Sequence, residues 1–323
     1  MITAILNDQL SDPSYGTSRL PVYGSTLQAA TYSFTGRKMT ILITGATGQV
    51  GGEAARTLAA KGKQVRALVR DPARATGLDG IELVQGDFGD DASMARALDG
   101  IESVLLTGRD SPDTVALQSN VLKNIWESKV RHVVKLSAIG AKRESPIELM
   151  RDHFAVDEKL RAGPTDWTLL QPHLYMQNLT RAAATARKEG KLSAPMADIH
   201  IPLVDTRDIG AAAAAVLLDP SAHAGQTYQL TGPETYSYDD VAQALSNILG
   251  RPVTYKSISS DDFESGLKAA GIPDWRAFDL AHITSAYGPE DYGLSADFEK
   301  LVGRSPTSMA SFMEDYRDTF LGH

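Results

Sequence analysis

The sequence predicts an α/β fold: a Rossmann-type, doubly wound parallel sheet with a smaller C-terminal α/β substrate lobe. Three observations carry this expectation. Short apolar runs alternate with helix-length amphipathic stretches from residue 40 to about 172, a glycine-punctuated turn joins the first run to the first helix, and beyond 172 the alternation loosens. Parallel neighbours need crossover connections, which helices supply, so β-α-β repetition means a sheet covered on both faces.

Residues 1–38 show neither a helical nor an alternating period and read as a poorly structured N-terminal extension, with Met39 standing directly before the first strand. The strands then fall at Thr40–Ile43, Gln64–Val69, Ile81–Val84, Ser103–Leu106, His132–Leu136 and Trp167–Leu170, and the helices between them at 49–61, 91–98, 113–128 and 148–162. Residues 39–172 therefore read as a dinucleotide-binding domain. Residues 173–323 read as the substrate lobe, with helices at 207–218, 237–249, 261–270 and 308–320 and some segments returning to the main sheet. Ser237, followed three residues later by Asp240, has the spacing of a capping box.

Composition narrows the function classes. A chain of 323 residues with 42% hydrophobic and 22% charged residues has the usage of a globular protein. Its net charge of −8, without long basic runs, argues against a nucleic-acid footprint. Zero cysteines exclude disulfides, thiolate metal sites and cysteine nucleophiles. No apolar run reaches membrane-spanning length and the start lacks a secretory signal, so the expectation is a cytoplasmic protein without membrane contact.

The strongest local signal is Gly45, Gly48 and Gly51 between the first strand and the first helix. Gly45 would permit the tight turn, Gly48 the approach of a pyrophosphate and Gly51 close helix packing, with Thr47, Gln49 and Val50 opening the helix whose N–H groups face the phosphate. Strand, turn and helix in sequence are the context that gives the motif meaning. Arg70 ends the second strand, 25 residues after Gly45, where an NAD-selective site places a carboxylate. A guanidinium there favours a 2′-phosphate, hence NADP(H) over NAD(H), although Asp71 is adjacent. Asp87 and Phe88 after the third strand would meet the adenine, and Thr107 and Gly108 after the fourth would border the cofactor.

With these residues in view, the chain resembles the NmrA-like, atypical branch of the extended short-chain dehydrogenase/reductases, in particular bacterial NAD(P)H quinone, azo-dye and triphenylmethane reductases. The resemblance spans residue 39 to about 320. It rests on ILITGATGQVGG, ALVRDPAR, GDFGD, HVVKLSAIGA, TDWTLLQPHLYMQNL, IPLVDTRDIGAAAA and YQLTGPETYSYDDVAQALSNILGRPV. It implies NAD(P)H as cofactor, a small-molecule acceptor, a monomer or homodimer, and neither flavin nor metal. Two departures stand out. No tyrosine occurs between Tyr32 and Tyr175, so the usual Tyr-x-x-x-Lys pair after the fifth strand is missing, and Gln171-Pro172 replaces the usual Arg-Pro.

Hydride transfer to a ketone develops an alkoxide that needs a positioned acid, whereas a quinone or dye cation yields a delocalised, stable product. The missing tyrosine therefore points to soft acceptors. Strand ends facing the crevice supply the candidates: Lys135 and Ser137 after the fifth strand, His153 on the next helix, and Pro172, His173, Tyr175 and Asn178 after the sixth. His153 resembles a histidine repeated in the quinone-reductase relatives and lies four residues before Asp157, on one helix face. It would orient substrate or deliver a proton; packing or capping is the competing role. Lys135 would sit over the nicotinamide ribose or snorkel outward, and Ser137 would bond a substrate oxygen or cap a turn. His173 and Tyr175 would flank a flat acceptor or only pack. Asp205 and Asp208 read as structural, Asp208 capping the helix at 209–218 and Asp205 ending a strand. No His/Asp/Glu cluster has metal-ligand spacing. The leading expectation is an NADP(H)-dependent oxidoreductase for planar or conjugated acceptors. The alternatives are a non-catalytic NADP(H) redox sensor, a carbonyl or enone reductase, and an isomerase.

Overall fold

The computed structural model describes residues 40–322; the extension at 1–38 lies outside the described residues. The chain runs β1 (Thr40–Ile43), α1 (Gln49–Ala60), β2 (Gln64–Val69), β3 (Glu82–Gln85), α2 (Asp91–Leu98), β4 (Ile101–Leu106), α3 (Thr114–Trp126), β5 (His132–Leu136), α4 (Glu148–Arg161) and β6 (Asp166–Pro172). It continues with α5 (Asn178–Glu189), β7 (Lys191–Ala194), α6 (Thr206–Leu218), β8 (Gln226–Leu230), α7 (Tyr238–Leu249), β9 (Thr254–Ser257), α8 (Ser260–Ala269), α9 (Asp274–His282), α10 (Asp297–Val302), α11 (Met309–Asp315) and α12 (Arg317–Leu321). The main sheet has the order β3-β2-β1-β4-β5-β6-β8, and each of its pairings is parallel. The α/β, doubly wound expectation holds.

The period of two along the central strands sorts their side chains onto two faces. Ile41, Ile43, Leu105 and Val134 pack against Ala54, Ala55 and Leu58 of α1 and Ile209, Ala213 and Val216 of α6. Leu42, Val104, Leu106 and Val133 pack against Met94 of α2, Val121 and Ile125 of α3 and Val156 of α4. Both faces are therefore dry, which is why these strands read as continuous apolar runs. The lobe has its own core, in which Leu179, Leu192, Ile201, Val241, Leu245, Phe312 and Phe320 meet. The hairpin of α8 and α9 encloses a fourth, small cluster around Leu267, Ala277 and Ala281.

Two element readings need correction. The strand read at 81–84 runs Glu82–Gln85; it is one of the sheet's two edge strands and only its Val84 is even partly buried, so the apolar signal is weak. The helix read at 308–320 breaks at Tyr316, whose φ of −100° and ψ of 17° end α11. The break lays the Tyr316 ring 5.3 Å from the Arg207 guanidinium and lets Phe320 enter the lobe core. Ser237 and Asp240 form the expected capping box on α7. Among the described residues no helix is long and apolar enough to cross a membrane.

Candidate active site

The glycine turn has the geometry of a phosphate cradle. Gly45 sits at φ +59°, and a Cβ on Gly51 would lie 2.4 Å from the Gly45 carbonyl oxygen, so α1 can pack this close only without a side chain there. Thr44 Oγ1 donates to the Thr107 carbonyl at 2.6 Å and accepts from Thr107 N–H at 2.9 Å, which locks the ends of β1 and β4 together. Gly48 caps α1 with no side-chain hydrogen bond, and no acidic residue occupies the first turn. The helix N-terminus is left bare and positive, with Thr47, Gly48 and Gln49 exposed and Val50 anchored in the core. These features fit a dinucleotide pyrophosphate. Phe88 packs over Gly108, where a Cβ would come within 3.1 Å of its ring, so the loops after β3 and β4 meet along this edge.

Arg70 is exposed at the end of β2 and lines a groove of about 570 Å³ with Gly86, Asp87, Asp90, Ser93 and Arg96. The neighbouring acids are engaged with backbone: Asp71 accepts from Ala73 N–H, Asp87 from Gly89 N–H and Asp90 from Ala92 N–H. Among the described residues neither Arg70 nor Arg96 has an ion-pair partner. Asp71 thus caps a turn, and a second guanidinium, Arg96, which strand-end reasoning had no means to place, joins Arg70.

Lys135, Ser137, His153 and Asp157 come together between β5 and α4. Lys135 is fully buried with its Nζ 2.8 Å from Asp157 Oδ1, while Ser137 Oγ donates to Asp157 Oδ2 at 2.6 Å. Neither snorkelling nor a free hydroxyl describes these two: the ammonium and the hydroxyl are both committed to Asp157. Lys135 Nζ also lies 3.2 Å from His153 Nδ1. Burial and the nearby ammonium hold His153 well below the ordinary histidine range, so the ring is neutral. An ammonium only donates, so Nδ1 accepts and the ring proton sits on Nε2. His153 and Asp157 have the i, i+4 spacing on α4, the helix after the fifth strand.

The strand ends are covered by a segment of which sequence reasoning made nothing. Pro172 O accepts from Ile139 N–H, tying the loop after β5 to the end of β6. His173, 2% exposed, stacks on Tyr287 with ring centroids 4.5 Å apart, and Tyr292 stands 6.1 Å away. Burial pushes the His173 imidazole down to about 4. Burial and the nearby Asp110 carboxylate raise the Tyr175 phenol, which packs against the sheet core, so it stays protonated. Asn178 is exposed at the start of α5, its N–H donating to Tyr175 O. Arg276 of α9 reaches Asp110 at 3.4 Å, and Asp279 accepts from Glu148 and Leu149 N–H at 2.9 and 2.8 Å, capping α4.

The capping role read for Asp208 belongs to Asp205. Asp205 caps α6 through Arg207 N–H, because its side chain is held there by Gln177 and Arg207. Asp208, inside the first turn, instead receives Arg304 and Thr307 N–H. Both are structural. Asp261, Glu264 and His282 converge across the α8–α9 hairpin, a grouping invisible in linear spacing; Glu264 is already engaged by His282 at 2.9 Å and Lys268 at 2.7 Å.

The NmrA-like family pattern matches residues 37–316. The chain is 31% identical to the NAD(P)H azoreductase of Xenophilus azovorans, over 87% of this chain and 99% of that protein. The NADPH-dependent quinone oxidoreductase of Escherichia coli complexed with NADPH superposes with a TM-score of 0.78 at 30% identity, covering 85% of this chain and 99% of that one. For the Citrobacter sp. triphenylmethane reductase complexed with NADP(H), the TM-score is 0.76 at 27% identity, with 85% and 99% covered. The chain is an NAD(P)H-dependent oxidoreductase, and it belongs to the NmrA-like family.

Proposed function

We propose that this oxidoreductase prefers NADPH and reduces flat, conjugated acceptors of the quinone, azo or triarylmethane kind, with His153 as its proton donor. The observation that carries this reading is the neutral His153, its Nδ1 held by Lys135 and its Nε2–H without a protein partner among the described residues. Bound NADPH supplies a hydride equivalent. The bare α1 N-terminus holds the pyrophosphate, and Arg70 with Arg96 takes the 2′-phosphate by charge-assisted bonds. Asp157 keeps Lys135 charged and in place, Lys135 fixes the tautomer of His153, and Nε2–H gives its proton to an acceptor atom that gains negative charge. A neutral imidazole gives up Nε2–H only as the Lys135 ammonium, which burial pushes below the ordinary lysine range, passes a proton to Nδ1, so the ring ends neutral and Lys135 ends as the amine. His173, Tyr175 and Asn178 line the acceptor side in this reading.

Anaerobic NADPH consumption against quinone, azo and triarylmethane acceptors tests it. Wild type turns over at least one class. His153→Ala lowers kcat for a quinone about 100-fold but changes a triarylmethane cation little, since hydride alone completes that reduction. Failure to consume NADPH with every acceptor class would overturn the reading, and equal losses on both classes would remove His153 as proton donor.

A further inference from the structure

The stretch 274–292 reaches over the C-terminal ends of three neighbouring strands. Arg276 meets Asp110 beyond β4, Tyr287 lies against Gly140 beyond β5, and Tyr287 and Tyr292 both face His173 beyond β6. Its C-terminal half consists of two short 3-10 turns, 283–286 and 289–292, with Gly288 between them. Beneath this cover lies a donor without an acceptor. His173 Nδ1 accepts the Leu174 N–H at 2.8 Å, so the proton of the neutral ring is on Nε2, and Nε2 is buried with no hydrogen-bond partner. The interplanar angle to Tyr287 is 29°, which directs the in-plane N–H past the tyrosine ring and not into its face. Unpaired buried donors are rare because each forfeits the hydrogen bond it would make with water.

We propose that His173 Nε2–H is the docking donor for a ring carbonyl oxygen of the acceptor, whose plane replaces Tyr287 on His173 when the 274–292 cover lifts. This rests on the oxidoreductase reading above and sharpens it: the acceptors that bind tightest are flat rings bearing a carbonyl oxygen, and dyes without one bind more weakly. An aromatic acceptor exchanges one ring stack for another, so the imidazole face stays covered by an apolar surface, and the unpaired N–H gains its acceptor. Because the stacked, closed arrangement does not bind, apparent affinity is reduced by the fraction of molecules that are closed. His153 then sets turnover, whereas His173 sets binding.

The test is equilibrium binding of 1,4-naphthoquinone to the protein loaded with NADP+, which supplies no hydride. His173→Asn keeps an acceptor for Leu174 N–H but cannot reach the Nε2 position. It should bind naphthoquinone at least tenfold more weakly than wild type, with NADP+ affinity within twofold. Tyr287→Ala removes the ring that competes with the acceptor and should bind naphthoquinone faster and at least as tightly. Equal binding by wild type and His173→Asn, no binding by wild type, or weaker binding by Tyr287→Ala each overturns the proposal. Intact, His173-dependent binding without consumption of NADPH would instead overturn the proposed acceptor class and leave the docking site standing.

Discussion

The two ends of the proposed site, one for the dinucleotide and one for the acceptor, are built on different physics. At the dinucleotide end, contiguous stretches after β1, β2 and β3 present backbone N–H groups and exposed guanidinium groups, and the critical contact is the Gly51–Gly45 backbone approach. At the acceptor end, side chains from residues 110, 135–157, 173–175 and 274–292 meet through a buried ion pair, an aromatic stack and a helix cap supplied from another segment. Backbone geometry serves any dinucleotide and leaves little to vary without losing the turn. Side-chain geometry can be re-chosen residue by residue, so acceptor specificity belongs at the second end.

The sharpest way to break that contrast is to remove the buried cation. Lys135→Met leaves the Asp157 carboxylate buried and unpaired, which costs about 3–5 kcal/mol; urea unfolding reads the loss. Lys135→Met combined with Asp157→Leu should regain most of that stability, since an apolar pair of similar volume replaces buried ions at little cost. The double variant should nonetheless stay slow with quinones, because nothing then fixes the His153 tautomer, while NADPH affinity stays within about twofold. Full activity in the stabilised double variant would show that the network serves folding alone.

This division also explains what was legible in the sequence. The first half of the sheet, the cradle around Gly45 and the place of Arg70 follow from local order, because strand, turn and helix adjoin in the chain. The convergence of Lys135, Ser137, His153 and Asp157 was half visible: their types and strand-end positions were, but that Asp157 takes both the ammonium and the hydroxyl was not. Arg276, Asp279, Tyr287 and Tyr292 carried no local signal, since α9 and the turns after it acquire meaning only when folded over strands that end more than a hundred residues earlier. Asp205 and Asp208 were mis-sorted because capping is decided by which neighbour holds each carboxylate, here Gln177 and Arg207 against Arg304.

Acid should affect the acceptor end through His173. Its imidazole falls from 6.5 to about 4 on folding because of burial, so the unfolded chain takes up the proton first as pH drops. Stability from this group is therefore complete above pH 6.5 and is lost as pH falls towards about 4, by about 3 kcal/mol in all. Asp152 runs the other way: burial and acidic neighbours raise it to about 6, so its carboxyl destabilises the fold as pH rises through that value. Comparing wild type with His173→Asn cancels Asp152, and the stability difference between them should shift against wild type between pH 7 and 4.5. A difference that does not move with pH would mean the imidazole is not buried in solution.

At the dinucleotide end, Arg70→Ala should weaken NADPH binding by about 1.5–3 kcal/mol, the range for hydrogen bonds to charged groups, and leave NADH nearly unchanged. Arg96→Ala should do the same to a smaller degree. Fluorescence titration with both cofactors decides this, and equal losses for NADH and NADPH would move the 2′-phosphate away from this groove.

The smallest effect expected is at Asp279. Helices α1 and α4 both begin without a side-chain cap of their own, at Gly48 and Ile147. On α1 the bare end is the one proposed to take an anionic cofactor, whereas on α4 a carboxylate from α9 fills it with two hydrogen bonds. Asp279→Ala should cost about 1 kcal/mol of stability as a lost cap. It also unties the 274–292 cover from the helix that carries His153. The KM for a quinone should therefore change while the NADPH dissociation constant does not, which a stability loss alone would not produce. If both constants moved together, the cover would have to be coupled to the dinucleotide end, and the crevice would work as one unit with no separable halves.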